Sequence, residues 1–211
     1  SGGRRRGGEA VGVVSVRKVR PGHIRGHPMT YDDYKDLPFE EGVRYELVDG
    51  SLQLMTPSAS AGHQLILSNL YQKLTQTCED EYIILFAPLD VILSDREVRQ
   101  PDLLMIHRKR LSIITKRGVE GPPDLVAEIL SPSSIKNDKM SKMKSYARYA
   151  IPEYWIVDAE NEALEQYQLD DGHYKLTNIY SDDETIQSDH IKCVTFSMKG
   201  IMSRIPHLPN A

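Results

Sequence analysis

The stretch Gly121-Pro-Pro-Asp-Leu-Val-Ala-Glu-Ile-Leu-Ser-Pro-Ser133 decides how the chain is read. Leu125, Val126, Ala127, Ile129 and Leu130 form an apolar run of strand length, and proline-rich turn signals close it at both ends, so a strand is expected over Asp124 to Leu130. Glu128 is the anomaly. A carboxylate among such neighbours is costly to bury unless it has a partner or a metal. Strand alternation that turns it to solvent is the plainer alternative.

Working outward, Tyr82 to Phe86, Leu89 to Leu93 and Asp102 to Ile106 read as strands before it. After it, Asn137 or Asp138 can cap a helix that runs to about Ala150 and stops at Ile151-Pro152. Glu153 to Val157 and Ala163 to Leu169 follow as strands, and Asp170-Asp171-Gly172 turns the chain into Tyr174 to Tyr180. Nearer the N-terminus, Thr30 and Asp33 form a capping-box pattern for a short helix to about Leu37. Arg44 to Met55 is a β-hairpin about Asp49-Gly50, the dipeptide a type I′ turn prefers. Leu65, Leu67, Leu70, Tyr71 and Leu74 fall at helical spacing over Ser60 to Cys78, with His63 near the helix start. The order predicts an α/β fold in which a central mixed sheet is flanked by helices and preceded by the hairpin.

With 40% hydrophobic and 27% charged residues in 211, the chain can bury a core and has no run approaching the roughly 18 apolar residues of a membrane span. One domain over residues 29–211 is expected, behind a disordered basic leader over residues 1–28. Cys78 and Cys193 are far apart and belong to no CxxC or CxxH pair; we read them as reduced thiols in a cytoplasmic protein. Net charge is -4, but the leader holds seven bases and one acid, leaving -10 for the rest. Arg108 to Arg117 has five bases and no acid, whereas Asp158 to Asp189 has ten acids and one lysine. A polyanion is expected to approach the former.

No GxxxxGK[ST], GxGxxG, GxSxG or HExxH occurs, which removes the usual anchors of nucleotide-binding, serine-hydrolase and zinc-protease chemistry. Carboxylates on strands remain: Asp102 after Pro101, and Glu128. Tyr154 and Trp155 read as core aromatics.

Gln100-Pro101-Asp102, the stretch 121–133, Asp138 with Lys142 and Tyr146, and Ile151-Pro-Glu-Tyr-Trp-Ile-Val-Asp158 occur in the order that resembles the Uma-two-type endonucleases. This is a bacterial branch of the PD-(D/E)xK restriction-endonuclease-like superfamily, and Tyr45-Glu-Leu-Val-Asp-Gly50 matches its first hairpin. The resemblance implies a restriction-endonuclease-like core and a Mg²⁺- or Mn²⁺-dependent endonuclease acting on DNA. It also implies Asp102 and Glu128 as metal ligands, and a homodimer, since superfamily members that cut both strands are often dimeric. The alternative is a catalytically silent binding or regulatory module on the same fold.

Leu130 stands where the superfamily has lysine; the resemblance implies that Lys142, on the following helix, takes its place. At 100° per residue Lys142 and Lys144 cannot both face the sheet, while Asp138, Lys142, Tyr146 and Tyr149 share a stripe. Without the resemblance, Lys142 would read as a solvated lysine paired with Asp138. Glu46 is a third candidate carboxylate, with a surface hairpin residue as the equal alternative. His63 is a secondary candidate, since a lone histidine is more often structural. The chemistry suits these types: hard oxygen ligands hold a cation that activates water beside an anionic phosphodiester, and a fixed ammonium steadies developing charge.

Overall fold

The computed structural model describes residues 27–38, 40–55, 59–132 and 134–210. The basic leader read over residues 1–28 lies outside them except for His27 and Pro28.

Helix α1 (Tyr31–Lys35) opens on the predicted capping box, with Thr30 and Asp33 exchanging side-chain and backbone hydrogen bonds. The hairpin β1 (Tyr45–Val48) and β2 (Ser51–Leu54) turns through Asp49 and Gly50 at φ of 48° and 76°, the left-handed pair that a type I′ turn demands. At Gly50 a Cβ would also sit 2.5 Å from Cβ of Pro28. Helix α2 (Ala61–Cys78) is capped by the hydroxyl of Ser60, which accepts from the His63 backbone N–H.

β3 (Tyr82–Phe86), β4 (Val91–Ser94), β6 (Leu103–His107) and β9 (Leu125–Ile129) answer to predicted strands. Between them lie three that no sequence pattern announced: β5 (Glu97–Arg99), β7 (Ile114–Thr115) and β8 (Gly118–Glu120). After β9 the chain is helical from Ile135, passes through a π-helical stretch at Asn137–Lys142 and continues as α3 (Met143–Arg148). The capping role expected of Asn137 or Asp138 is therefore not filled: both lie inside the helical run, which has already begun at Ile135. β10 (Glu153–Asp158), β11 (Ala163–Asp170), β12 (His173–Ser181) and the short α4 (Met198–Met202) complete the chain.

Among the described residues the strands form two six-stranded sheets, ordered β2-β1-β5-β4-β8-β7 and β12-β11-β10-β9-β6-β3. The predicted hairpin is thus the edge of a second sheet. Each sheet has one parallel pair, β4 with β8 and β9 with β10; the latter is joined through α3, as a parallel connection requires a crossover.

Alternation along the larger sheet divides the core. Leu103, Met105, Leu125, Ala127, Trp155 and Val157 face α2 and α4. Leu104, Ile106, Val126, Tyr154 and Ile156 face the smaller sheet and Tyr146 of α3. Tyr154 and Trp155 are fully buried, as expected of core aromatics.

Cys78 and Cys193 are joined as a disulfide, which overturns the expectation of two reduced thiols. Their separation of 115 residues concealed a meeting of the last turn of α2 with the C-terminal segment, both packed on one face of the larger sheet, at a Cα distance of 5.2 Å. No helix among the described residues is long and apolar enough to cross a membrane.

Candidate active site

β6 pairs antiparallel with β9 through Leu103 and Ala127, so Asp102, one residue earlier, stands opposite Glu128. Each carboxylate reaches across to the other strand's backbone. Oδ2 of Asp102 accepts from the Ile129 N–H at 2.7 Å, and Oε2 of Glu128 accepts from the Asp102 N–H at 3.4 Å.

Glu128 is 1% exposed. It lies on the face of β9 turned toward the smaller sheet and α3, and two groups from the crossover helix meet it there. Nζ of Lys142 is 3.0 Å from Oε2, and the Tyr146 hydroxyl donates to Oε1 at 2.8 Å. Burial, then the charge of Glu128, pushes the Tyr146 hydroxyl well above its ordinary range, so it stays a donor. Lys142 is itself buried, whereas Lys144 is exposed. The Tyr149 hydroxyl meets Oγ of Ser94 on β4 of the smaller sheet, 3.1 Å away. The side chain of Asp138 lies outside the described residues.

His63 enters from the first turn of α2, its Nε2 lying 3.3 Å from Oδ2 of Asp102. Its Nδ1 is buried and without a hydrogen-bond partner among the described residues. Burial on its own would raise the Asp102 carboxyl. The His63 hydrogen bond and charge, the charge of Lys142 and the Ile129 N–H outweigh it and hold the group below the usual carboxylate range.

Glu46 is 3% exposed and therefore not a solvated hairpin residue. Oε2 accepts from the Gln100 N–H at 2.8 Å, two residues before Asp102, and Oε1 lies 3.4 Å from Arg99. Arg99 is the residue that sequence reading missed. It is fully buried on β5, donates to Oγ of Ser141 and Oγ of Ser145 at 2.9 and 2.8 Å, and lies 3.7 Å from Glu97. Ser141 and Ser145 flank Lys142, so this guanidinium ties the helix carrying the ammonium to the smaller sheet. A charged residue in a three-residue strand offers no hydrophobic pattern to read, and only its place beside Gln100-Pro101-Asp102 hinted at it.

Arg108 to Arg117 does not belong to this site. It begins where β6 ends, about 20 Å of strand away from Asp102. Arg110 is engaged by Asp124 and Arg117 by Glu120, at 3.2 and 3.0 Å.

Two adjacent carboxylates are hard oxygen donors of the kind that hold Mg²⁺ or Mn²⁺ when water and phosphate oxygens complete the shell. That donor set fits such an ion. Among the described residues no group of three or more His, Cys, Asp or Glu side chains is gathered to hold a metal by protein ligands alone.

A crystal structure from Anabaena variabilis, described as a putative nuclease belonging to DUF820, superposes with a TM-score of 0.68 at 17% identity, covering 83% of this chain and 98% of that one. The likeness establishes a restriction-endonuclease-like fold. The type IIG restriction endonuclease BpuSI aligns over 59% of this chain and 14% of its own at 14% identity, with a TM-score of 0.35, too low to bear on the fold. No curated protein matches the chain. Residues 31–198, which carry every side chain of the site described above, match the Uma2 family, described as "Putative restriction endonuclease", and the chain belongs to that family.

Proposed function

We propose that the chain is a metal-dependent endonuclease that hydrolyses phosphodiester bonds in DNA, working as a homodimer through one domain over residues 29–211. The observation that carries this reading is the buried ammonium of Lys142 set 3.0 Å from Glu128, beside Asp102 on the neighbouring strand. A divalent ion held by the Asp102 and Glu128 carboxylates would supply a Lewis acid and a lowered pKa for an attacking water. Lys142, drawn from the helix, balances negative charge at the phosphoryl group without the lysine that Leu130 lacks. Tyr146 holds one oxygen of Glu128, so the carboxylate keeps one orientation. His63 does the same for Asp102. Glu46, neutralised by Arg99, is a supporting acid of the site.

Incubating the protein with supercoiled plasmid in Mg²⁺, Mn²⁺ or EDTA tests the reading. Metal-dependent nicking that disappears in Asp102→Ala and Glu128→Ala supports it, and so does a Mn²⁺-induced rise in melting temperature absent from the double variant. No nicking and no metal-induced shift would leave the second reading, a silent binding module. On that reading Lys142 and Tyr146, which engage the two oxygens of Glu128, serve only to hold a buried carboxylate.

A further inference from the structure

Between the β1–β2 hairpin and the start of the crossover helix runs a cleft of about 480 Å³. Glu46 and Lys142 line it, and both are almost wholly buried. Leu54 and Met140 line it too, yet they are 64% and 63% exposed. The groups nearest the chemistry therefore form the floor, and two apolar side chains stand up at the walls.

We propose that this cleft receives an unpaired strand of DNA, with one base held between Leu54 and Met140 and its phosphate near Lys142. The substrate class is then single strands, frayed ends or flaps, in preference to intact duplex. The inference rests on the nuclease reading only for what happens at the floor of the cleft.

Four observations support it. The width of a double helix keeps its phosphates at the mouth of a narrow cleft, whereas an unpaired strand can descend between the walls to groups that are 3% and 6% exposed. Large apolar side chains standing in solvent beside a polar floor suit the face of a base, since every base offers one and contact with it tolerates any sequence. The amides of Gln53 and Asn137 line the same walls and can meet base edges. Charge adds to this at the rim: on the floor Lys142 is paired with Glu128 and Glu46 with Arg99, whereas Lys136 lines the cleft as an exposed base that can meet an anionic strand.

The test is fluorescence anisotropy in EDTA, where nothing is cut, using a labelled single-stranded oligodeoxynucleotide and the same sequence as a duplex. The single strand should bind more tightly. Leu54→Ser with Met140→Ser should weaken single-strand binding about fivefold or more, the scale of losing the burial of one or two methylene groups, and leave duplex binding unchanged. Leu54→Met with Met140→Leu should retain it. Both positions are exposed, and a melting curve for each variant checks that the fold is intact. Equal or tighter duplex binding, absence of binding to either probe, or a serine variant that binds the single strand like wild type would overturn the proposal. Strand binding without cleavage on adding Mn²⁺ would sink the nuclease reading and leave this one standing. Cleavage indifferent to strandedness and to both variants would do the reverse.

Discussion

Nζ of Lys142 lies 3.0 Å from Oε2 of Glu128, and both groups are nearly closed off from water. The pair joins two layers of the molecule, since Glu128 belongs to the larger sheet and Lys142 to the helix that crosses over it. Lys142→Met leaves a buried carboxylate without its cation, and removing one member of a buried pair costs about 3–5 kcal/mol. Adding Glu128→Gln removes the stranded charge, so the double variant should recover a large part of that loss. Urea denaturation of the wild type, both single variants and the double variant closes the cycle.

Arg99 predicts a different pattern. Lysine can supply the charge but not the fork that serves Ser141, Ser145 and Glu46 together. Arg99→Lys should therefore lower the unfolding midpoint by an amount equivalent to about 2 kcal/mol or more, with Ser141 and Ser145 left short of their donor. If the nuclease reading holds, kcat should fall more than KM rises, because the variant loosens the helix that presents Lys142.

The disulfide closes a loop with a sequence separation of 115 residues, and the chain-entropy account puts the stabilisation from such a closure at about 4–5 kcal/mol. Denaturation midpoints with and without reductant should differ accordingly. Cys78→Ala with Cys193→Ala should melt at the reduced wild-type position and ignore the reductant.

Glu153 supplies a pH dependence. It is wholly buried, and burial raises its carboxyl above the ordinary value of 4.5 despite donors from Gln168, Ser188 and Trp155. A raised acid binds its proton more readily in the folded state. Its cost is therefore absent below about pH 4.5, grows as pH rises toward the folded value and is constant above it. Relative to Glu153→Gln, which does not titrate there, the wild type should gain stability on acidification from pH 7 to pH 4. The gain is about 1.4 kcal/mol for every tenfold by which folding strengthens the carboxylate's hold on its proton. Paired melting curves at the two pH values measure the difference.

Much of the frame was readable because its signals are local. The Thr30–Asp33 box, the Asp49-Gly50 turn and the apolar periodicity of α2 each act within a few residues, and each element formed where its signal lay. β5, β7 and β8 escaped because two or three residues cannot display alternation, and their pairing is decided by strands distant in sequence. The burial of Glu128 was legible from its neighbours. The Arg99 cluster and the Cys78–Cys193 bond were not, since both join segments through tertiary contacts alone. Asn137 failed as a cap because helical structure set in before it, leaving no free N-terminal turn for its side chain to serve.

Every strand of the larger sheet, from β3 through β12, lies between Cys78 and Cys193. A protease that cuts a surface connection within that span, such as the exposed turn at Asp171-Gly172 between β11 and β12, releases no fragment. The two pieces stay covalently tied and run as one band on a denaturing gel until reductant is added. Only a cut before residue 78 or after residue 193 sheds a piece under oxidising conditions.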